Sequence, residues 1–424
     1  MSGAGSRETG GQKAGGKPTD GQAGAGLRAA TKMTQVIAAD GEALSQELLA
    51  LRQTLFPPTS QKVLRSFSSG EAARLIGIAD GYLRQLSLGG KGPAPELNAS
   101  GRRSFSLGQI NELRRLLHET GKGKVYLPHR SPEEHCQVLA TVNFKGGSGK
   151  TTTAAHLAQY LALHGYRVLA VDLDPQASLT ALHGYQPEFD IGPNETLYGA
   201  IRYDAERRPL SRIVRSTYFP GLDIVPGNLE LMEFEHDTPK ALVDGDGEAF
   251  FGRVATALGE VADAYDVMIL DCPPQLGFLT LGALCAATGV LITVHPQMLD
   301  VMSMCQFLLM ASDLLSVVQE AGGDLDYDFL RYVVTRHEPS DGPQTQMVAF
   351  MRSLFRERVL TNTMLKSTAI SDAGLSKQTL YEVGRENFTR ATYDRAIESL
   401  DGVNGEIEAL MRQAWGRSAT GRAE

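Results

Sequence analysis

The sequence is poor in cysteine: Cys136, Cys272, Cys285 and Cys305 are its only four, and they are widely spaced. That spacing excludes a disulfide framework and a zinc knuckle, and leaves four thiols expected to be reduced and structural. No run of roughly 18 or more apolar residues is evident, and Met1 to Gly26 has no continuous apolar core of the kind a secretory leader carries. A soluble cytoplasmic chain with no membrane partner is expected. Overall basic charge is lacking too: the net charge is −8, which argues against a chain that coats nucleic acid along its whole length. The average conceals a basic block. Residues 61–130 hold twelve Lys or Arg against five acids, a charge of +7 that leaves −15 for the rest. Such a block suits a solvated surface and a DNA-binding domain alike.

What is present divides into four segments. Residues 1–35, dominated by Gly, Ala, Ser and Lys without apolar periodicity, are expected to form a disordered tail. Residues 36–60 contain a helical stretch in which Leu44, Leu48, Leu51 and Leu55 make a stripe suited either to dimerisation or to packing on the chain's own domain. Pro57 and Pro58 end it. Residues 61–130 read as a winged helix-turn-helix. Ser68 and Glu71 form a capping box for a first helix burying Leu75 and Ile76, Gly77 breaks it, and a second helix follows from about Ala79 to Ser87. Leu83 and Leu86 of that second helix should face inward, leaving Tyr82, Arg84 and Gln85 outward for base edges. The basic pair Arg102-Arg103 would sit on a wing, ahead of a third helix carrying Leu107, Ile110, Leu113 and Leu116.

From residue 131 to 424 short apolar strands alternate with longer helices, the pattern of a mainly parallel sheet flanked by helices. The predicted strands are Val138 to Asn143, Val168 to Val171, Leu222 to Val225, Val267 to Leu270, Val290 to Val294 and Tyr332 to Thr335. After the first comes Phe144-Lys145-Gly146-Gly147-Ser148-Gly149-Lys150-Thr151-Thr152, then a helix. Glycines let backbone N–H groups curl around phosphate oxygens, and the helix N-terminus adds partial positive charge. Lys150 would span the β and γ phosphates of ATP, and the Thr151 hydroxyl would ligate Mg2+. Asp172 and Asp174 close the second strand with i, i+2 spacing, so both can face the nucleotide. Asp271 follows the strand at Val267, the position at which an NTPase carboxylate holds Mg2+ directly or through water.

The Lys-Gly-Gly-x-Gly-Lys-Thr form, with Lys145 added and Phe144 where the standard loop has glycine, resembles the deviant Walker A box of the ParA and MinD class of ATPases. Together with Asp172-Leu173-Asp174-Pro175-Gln176-Ala177-Ser178 and the fused helix-turn-helix, it looks most like the RepA group of repABC plasmid partition proteins. The resemblance runs from about Phe67 to the C-terminal helices. It implies a P-loop NTPase fold and an ATP-sandwich homodimer in which Lys145 reaches the partner subunit's phosphates. It also implies a water-positioning role for Asp174, a place for Asp172 near the metal shell, and loops at Pro296 and Arg336 that cup the adenine. Further implications are a nonspecific, nucleoid-associated DNA surface that includes Lys366 and Lys377, repression of the chain's own operator DNA, and hydrolysis stimulated by a ParB-type partner protein. An ATP- or ADP-sensing repressor with little turnover is the alternative. A MinD-like membrane oscillator is disfavoured because Gly405 to Trp415 sets Glu406 and Glu408 against Arg412. An iron-sulfur reductase is disfavoured by the cysteine positions.

Overall fold

The computed structural model describes residues 33–47, 62–97, 101–121, 125–244, 250–323 and 325–417. It divides into a unit ending at Gln61 and a second running from Lys62 to the C-terminus. In the first unit, helix α1 (33–47) is exposed at every residue. The predicted tail and most of the leucine stripe, Leu48, Leu51 and Leu55 included, lie outside the described residues.

The second unit opens with the winged helix-turn-helix. Strand β1 (Phe67–Ser68) leads into α2 (Ser69–Ile76), capped reciprocally by Ser68 and Glu71 and ended by Gly77 at φ 82°. Helix α3 (Asp80–Leu88) follows with Leu83 and Leu86 buried. Strands β2 (Glu96–Leu97) and β3 (Arg103–Phe105) complete a small antiparallel sheet of order β1-β3-β2, and a second capping box, Ser106 with Gln109, starts α4 (Leu107–Thr120). The predicted inner face of α4 is shifted: Leu117 and Arg114 are buried, whereas Leu116 is only half-buried.

The larger sheet has seven strands in the order β10-β9-β4-β8-β5-β7-β6. In chain order they are β4 (Gln137–Val142), β5 (Val168–Asp172), β6 (Arg215–Ser216), β7 (Leu222–Val225), β8 (Val267–Asp271), β9 (Gly289–Val294) and β10 (Phe329–Val334). All pair in parallel except β6 with β7. Every residue of β4, β5, β8 and β9 is buried, as a sheet covered on both faces requires. Alternate side chains divide between two cores. Leu139, Val168, Ala170, Val267 and Ile269 enter one; Ala140, Val142, Leu169, Val171, Met268 and Leu270 enter the other. The first core continues without a break into Phe67, Ile76, Leu83, Leu107 and Ile110 of the winged region.

Four helices matter below: α5 (Lys150–Leu163) and α6 (Ser178–Leu182) beside the site, α7 (Met298–Glu320), and α8 (Arg390–Ala414) at the C-terminal end. Helix α7 modifies the expectation of no span-length apolar stretch: its 23 residues contain an 18-residue window of mean hydropathy 1.7, and 22% of that window is buried. Met304, Phe307 and Ala311 of α7 share the core of the second sheet face.

Candidate functional site

Parallel pairing puts the C-terminal ends of β10, β9, β4, β8 and β5 side by side, and the predicted site residues follow those ends, where open α/β sheets bind ligands. The turn after β4 is tied by Asn143. Its Oδ1 accepts the Lys145 N–H at 3.0 Å, and its Nδ2 donates to the Thr293 carbonyl of β9. Gly147 and Gly149 adopt φ of 76° and 92°, which side-chain-bearing residues avoid. Gly149 is also crowded, since a Cβ there would stand 3.3 Å from Thr335. The Ser148 carbonyl accepts the Thr335 hydroxyl at 2.6 Å, and Ser148 Oγ lies 3.0 Å from Thr293 Oγ1. The exposed Arg336, at φ 52°, donates to the Gly147 carbonyl at 3.3 Å. The loop is thus clamped by the ends of β9 and β10, and α5 starts directly after it with its first-turn N–H groups available to an anion. Thr151 and Thr152 stand half-buried in that first turn, and Pro296 is buried between β9 and α7.

Lys150 is nearly buried, with Nζ 3.4 Å from the Lys145 carbonyl. Burial pulls its ammonium below the ordinary lysine value, and the negative charge of Asp271 and Asp174 opposes the shift. Asp172 and Asp271 are register partners on β5 and β8, and both are fully buried. Burial raises the Asp172 carboxyl to about 7; burial and then repulsion from Asp172 push Asp271 well above the carboxylate range.

The two carboxylates are engaged differently. Asp172 Oδ2 accepts from the Thr180 amide at 2.8 Å and its hydroxyl at 2.7 Å, while Oδ1 accepts the Asp174 amide at 3.2 Å. Gly227 lets a neighbouring loop approach, since a Cβ would lie 3.0 Å from Asp172 Cγ, and its own N–H donates to Thr180 Oγ1 at 2.8 Å. Asp172 therefore spends its oxygens fastening α6 and the Asp174 turn to the strand. Asp271 Oδ2, by contrast, is buried with no hydrogen-bond partner; Oδ1 accepts the Thr141 hydroxyl at 3.5 Å, and Thr151 lies close enough to favour the charged carboxylate. A buried carboxylate oxygen left unpaired is costly. An oxygen donor set of this kind, beside an exposed phosphate-binding loop, fits Mg2+. Asp174 is half-exposed, accepts the Gln176 amide at 2.9 Å, and lies close enough for its charge to act on Lys150 and Asp271.

Sequence reasoning missed Asp300. This buried residue in the first turn of α7 accepts Lys145 Nζ at 2.7 Å. An acid in a first helical turn ordinarily reads as a complement to the helix dipole, so the sequence held no separate signal for a lysine partner.

Tyr82, Arg84 and Gln85 are all exposed on α3, as expected of a recognition helix. Arg102 and Arg103 line a cleft of about 1170 Å³ together with Arg65, Arg74 and, from α8, Glu398 and Asp401. Lys366 is paired with Glu338 at 2.7 Å; the exposed Lys377, at φ 53°, offers its carbonyl to Lys62 Nζ. The thiol expectation needs one correction: Cys272 is buried as a structural cysteine should be, but Cys305 is exposed on α7.

Comparison with known proteins agrees with this geometry. A family model described as an AAA domain matches residues 136–320. A protein of Rhizobium rhizogenes named putative replication protein A is 57% identical over 393 residues, covering 91% of this chain and 96% of that one. The chromosome partitioning protein ParA of Myxococcus xanthus is 33% identical over 236 residues, covering 56% of this chain and 77% of that one. A solved structure titled partition protein superposes with a TM-score of 0.58 over 86% of this chain and 99% of its own, and at 19% identity that likeness speaks for the fold alone. With a deviant phosphate-binding loop at the centre of its sheet and these relatives across its length, the chain belongs to the ParA family of partition ATPases and is like the RepA group within it.

Proposed function

We propose that this partition ATPase works as an ATP-driven DNA switch, with residues 61–130 reading operator DNA and residues 131–424 binding and hydrolysing ATP. The observation that carries the reading is the convergence of Lys150, Thr151, Asp174 and the unsatisfied Asp271 Oδ2 at the open edge of the sheet. Lys150 and the loop amides neutralise the β and γ phosphates. Thr151 and Asp271 would hold Mg2+, which when bound supplies positive charge to the phosphate oxygens. Asp174 orients the attacking water, and Asp172 acts through the turn it fastens. Pro296 and Arg336 border the nucleotide at its base end.

Lys145 is the residue that makes hydrolysis depend on assembly. Held by Asp300 in the single chain, it exchanges that carboxylate for the partner subunit's phosphates when two ATP-loaded chains meet. The dimer then presents basic residues, Lys366 and Lys377 among them, to nucleoid DNA without sequence preference, while Tyr82, Arg84 and Gln85 read the operator with backbone support from Arg102 and Arg103. A ParB-type partner stimulates hydrolysis and resets the cycle, and the protein works in the cytoplasm on the nucleoid.

Sedimentation velocity of the full chain with Mg-ATP and with Mg-ADP tests the assembly step. ATP-dependent dimers that are lost in Lys145→Ala support it, and normal dimers in that variant would reject the role given to Lys145.

A further inference from the structure

Arg114 belongs by sequence to the basic block, but it is among the largest fully buried side chains, at 1% exposure. Its guanidinium has no carboxylate partner among the described residues. It is held by carbonyls and an amide. Nη2 donates to the Leu75 carbonyl at 2.7 Å and to the Leu163 carbonyl at 2.5 Å, and Nη1 donates to Asn111 Oδ1 at 2.6 Å. Leu75 stands in the last turn of α2, and Leu163 is the final residue of α5. The negative ends of two helix dipoles therefore converge on one cation, a favourable arrangement that needs no carboxylate. Burial lowers the guanidinium to about 10, which still leaves it charged at neutral pH. The contact is close because residue 165 is glycine at φ 95°: a Cβ there would sit 3.1 Å from Arg114 Cδ and Nη1.

The two helices have different work. Helix α5 begins at Lys150 in the phosphate-binding loop and runs about 20 Å to Leu163. Helix α2 packs on α3, which bears the exposed Tyr82, Arg84 and Gln85. We propose that Arg114 is the joint through which nucleotide occupancy at the start of α5 is transmitted to the DNA-binding helices, an inference that rests on the nucleotide and operator sites proposed above. A helix is stiff along its axis, so a shift of α5 on phosphate engagement moves the Leu163 carbonyl, and the planar fork that grips it also grips α2. Because coupling between two binding sites is reciprocal, operator DNA must change nucleotide affinity by the same factor.

Hydrogen exchange on the wild-type full chain, with and without Mg-ADP or a non-hydrolysable ATP analogue, tests the joint without relying on a variant. Altered protection in α2 and α4 as well as at the loop is expected. Change confined to the loop would overturn the coupling, and no change even at the loop would remove the nucleotide site and the coupling with it. Arg114→Met and the milder Arg114→Lys supply the second arm. The probe is a duplex from upstream of the protein's own coding sequence, read against a random duplex. Wild type should show an operator affinity that changes by about 5- to 150-fold with nucleotide. In Arg114→Met that ratio should fall toward 1 while nucleotide affinity without DNA is retained, and Arg114→Lys should keep part of the ratio. A folded Arg114→Met with the wild-type ratio would overturn the proposal, because a merely structural staple leaves the ratio alone.

Discussion

Lys150 and Lys145 lie five positions apart in one loop, and the surroundings give them different tasks. Lys150 is enclosed by the loop near Asp271 and Asp174, so a phosphate chain arriving there meets a desolvated cation. Lys150→Ala should weaken ATP and ADP binding by at least about 10- to 100-fold, the worth of a charge-assisted hydrogen bond. Calorimetry that returned wild-type affinity would remove Lys150 from the site. Lys145 reaches sideways to Asp300 and remains partly exposed. Lys145→Ala should therefore bind ADP as wild type does, while its melting temperature should fall, because the buried Asp300 carboxylate loses its partner, though by less than for a fully buried pair. The loop residues were legible in the sequence because their chemistry is local: glycine spacing, two lysines and a following helix. Asp300 was not, because it meets Lys145 only after β9 has been laid beside β4.

At the level of helices and strands, hydrophobic periodicity located β4, β5, β7, β8, β9 and β10 to within a few residues. It missed β6, whose two residues, Arg215 and Ser216, carry no apolar run. The capping box at Ser68 and Glu71 and the turn at Gly77 placed α2 and α3 correctly, because both signals depend on short-range hydrogen bonds and backbone conformation. The inner face of α4 was misjudged at Leu116. The pattern assumed that an arginine stays outside, whereas Arg114 finds two helix ends inside. For α3 the exposed face makes a direct expectation. Arg84→Ala should cost about 1 to 3 kcal/mol on operator DNA if Arg84 contacts a base, with little change on random DNA and in nucleotide binding. Equal losses on both duplexes in a fluorescence titration would make Arg84 a phosphate contact instead.

The strands depend on a second polar centre, at the residue before β8. Asp266 is fully buried and accepts from His129 Nδ1 at 2.8 Å, the Arg130 amide at 3.0 Å, the Arg167 amide at 2.8 Å and Arg167 Nη2 at 2.6 Å. Burial alone would raise its carboxyl, but the bonds from His129 and Arg167 outweigh burial and hold it well below the usual range. A carboxyl depressed in the fold contributes stability above the unfolded value of about 3.9 and loses it as pH falls through the lower folded value. Asp266→Asn should cost somewhat less than the roughly 3 to 5 kcal/mol of a broken buried pair, since Arg167 is partly solvated. Denaturant titrations should show that gap narrowing below about pH 4. A gap that persisted there would mean the charge of Asp266 is not what stabilises the start of β8.

For the molecule as a whole, the sequence suggested two domains in series, and the structure joins them through a core shared by the winged region, one sheet face and α8. That continuity could not be read from periodicity, which shows that a face is apolar but not what covers it. With the winged region built into the same body as the phosphate-binding loop, the proposed operator reading and the nucleotide site share one core. The exposed apolar side of α7, with Met302, Leu309, Met310 and Val317, is the other large feature that the chain's charge pattern did not foretell.

The proposed cycle stands or falls on the separation of ATP binding from ATP turnover at Asp174. This carboxylate is half-exposed at the site, and its backbone, not its side chain, is fastened by Asp172. Loss of the side chain should therefore leave the nucleotide site assembled while the attacking water loses its orientation. The measurement is single-turnover release of the γ phosphate by Asp174→Ala beside wild type, with ATP affinity and DNA retention followed in the same samples. The account predicts near-wild-type ATP affinity, phosphate release slowed by about 100-fold or more, and a salt-sensitive DNA complex that a ParB-type partner does not dissolve. Release at the wild-type rate from the Asp174→Ala variant would contradict it.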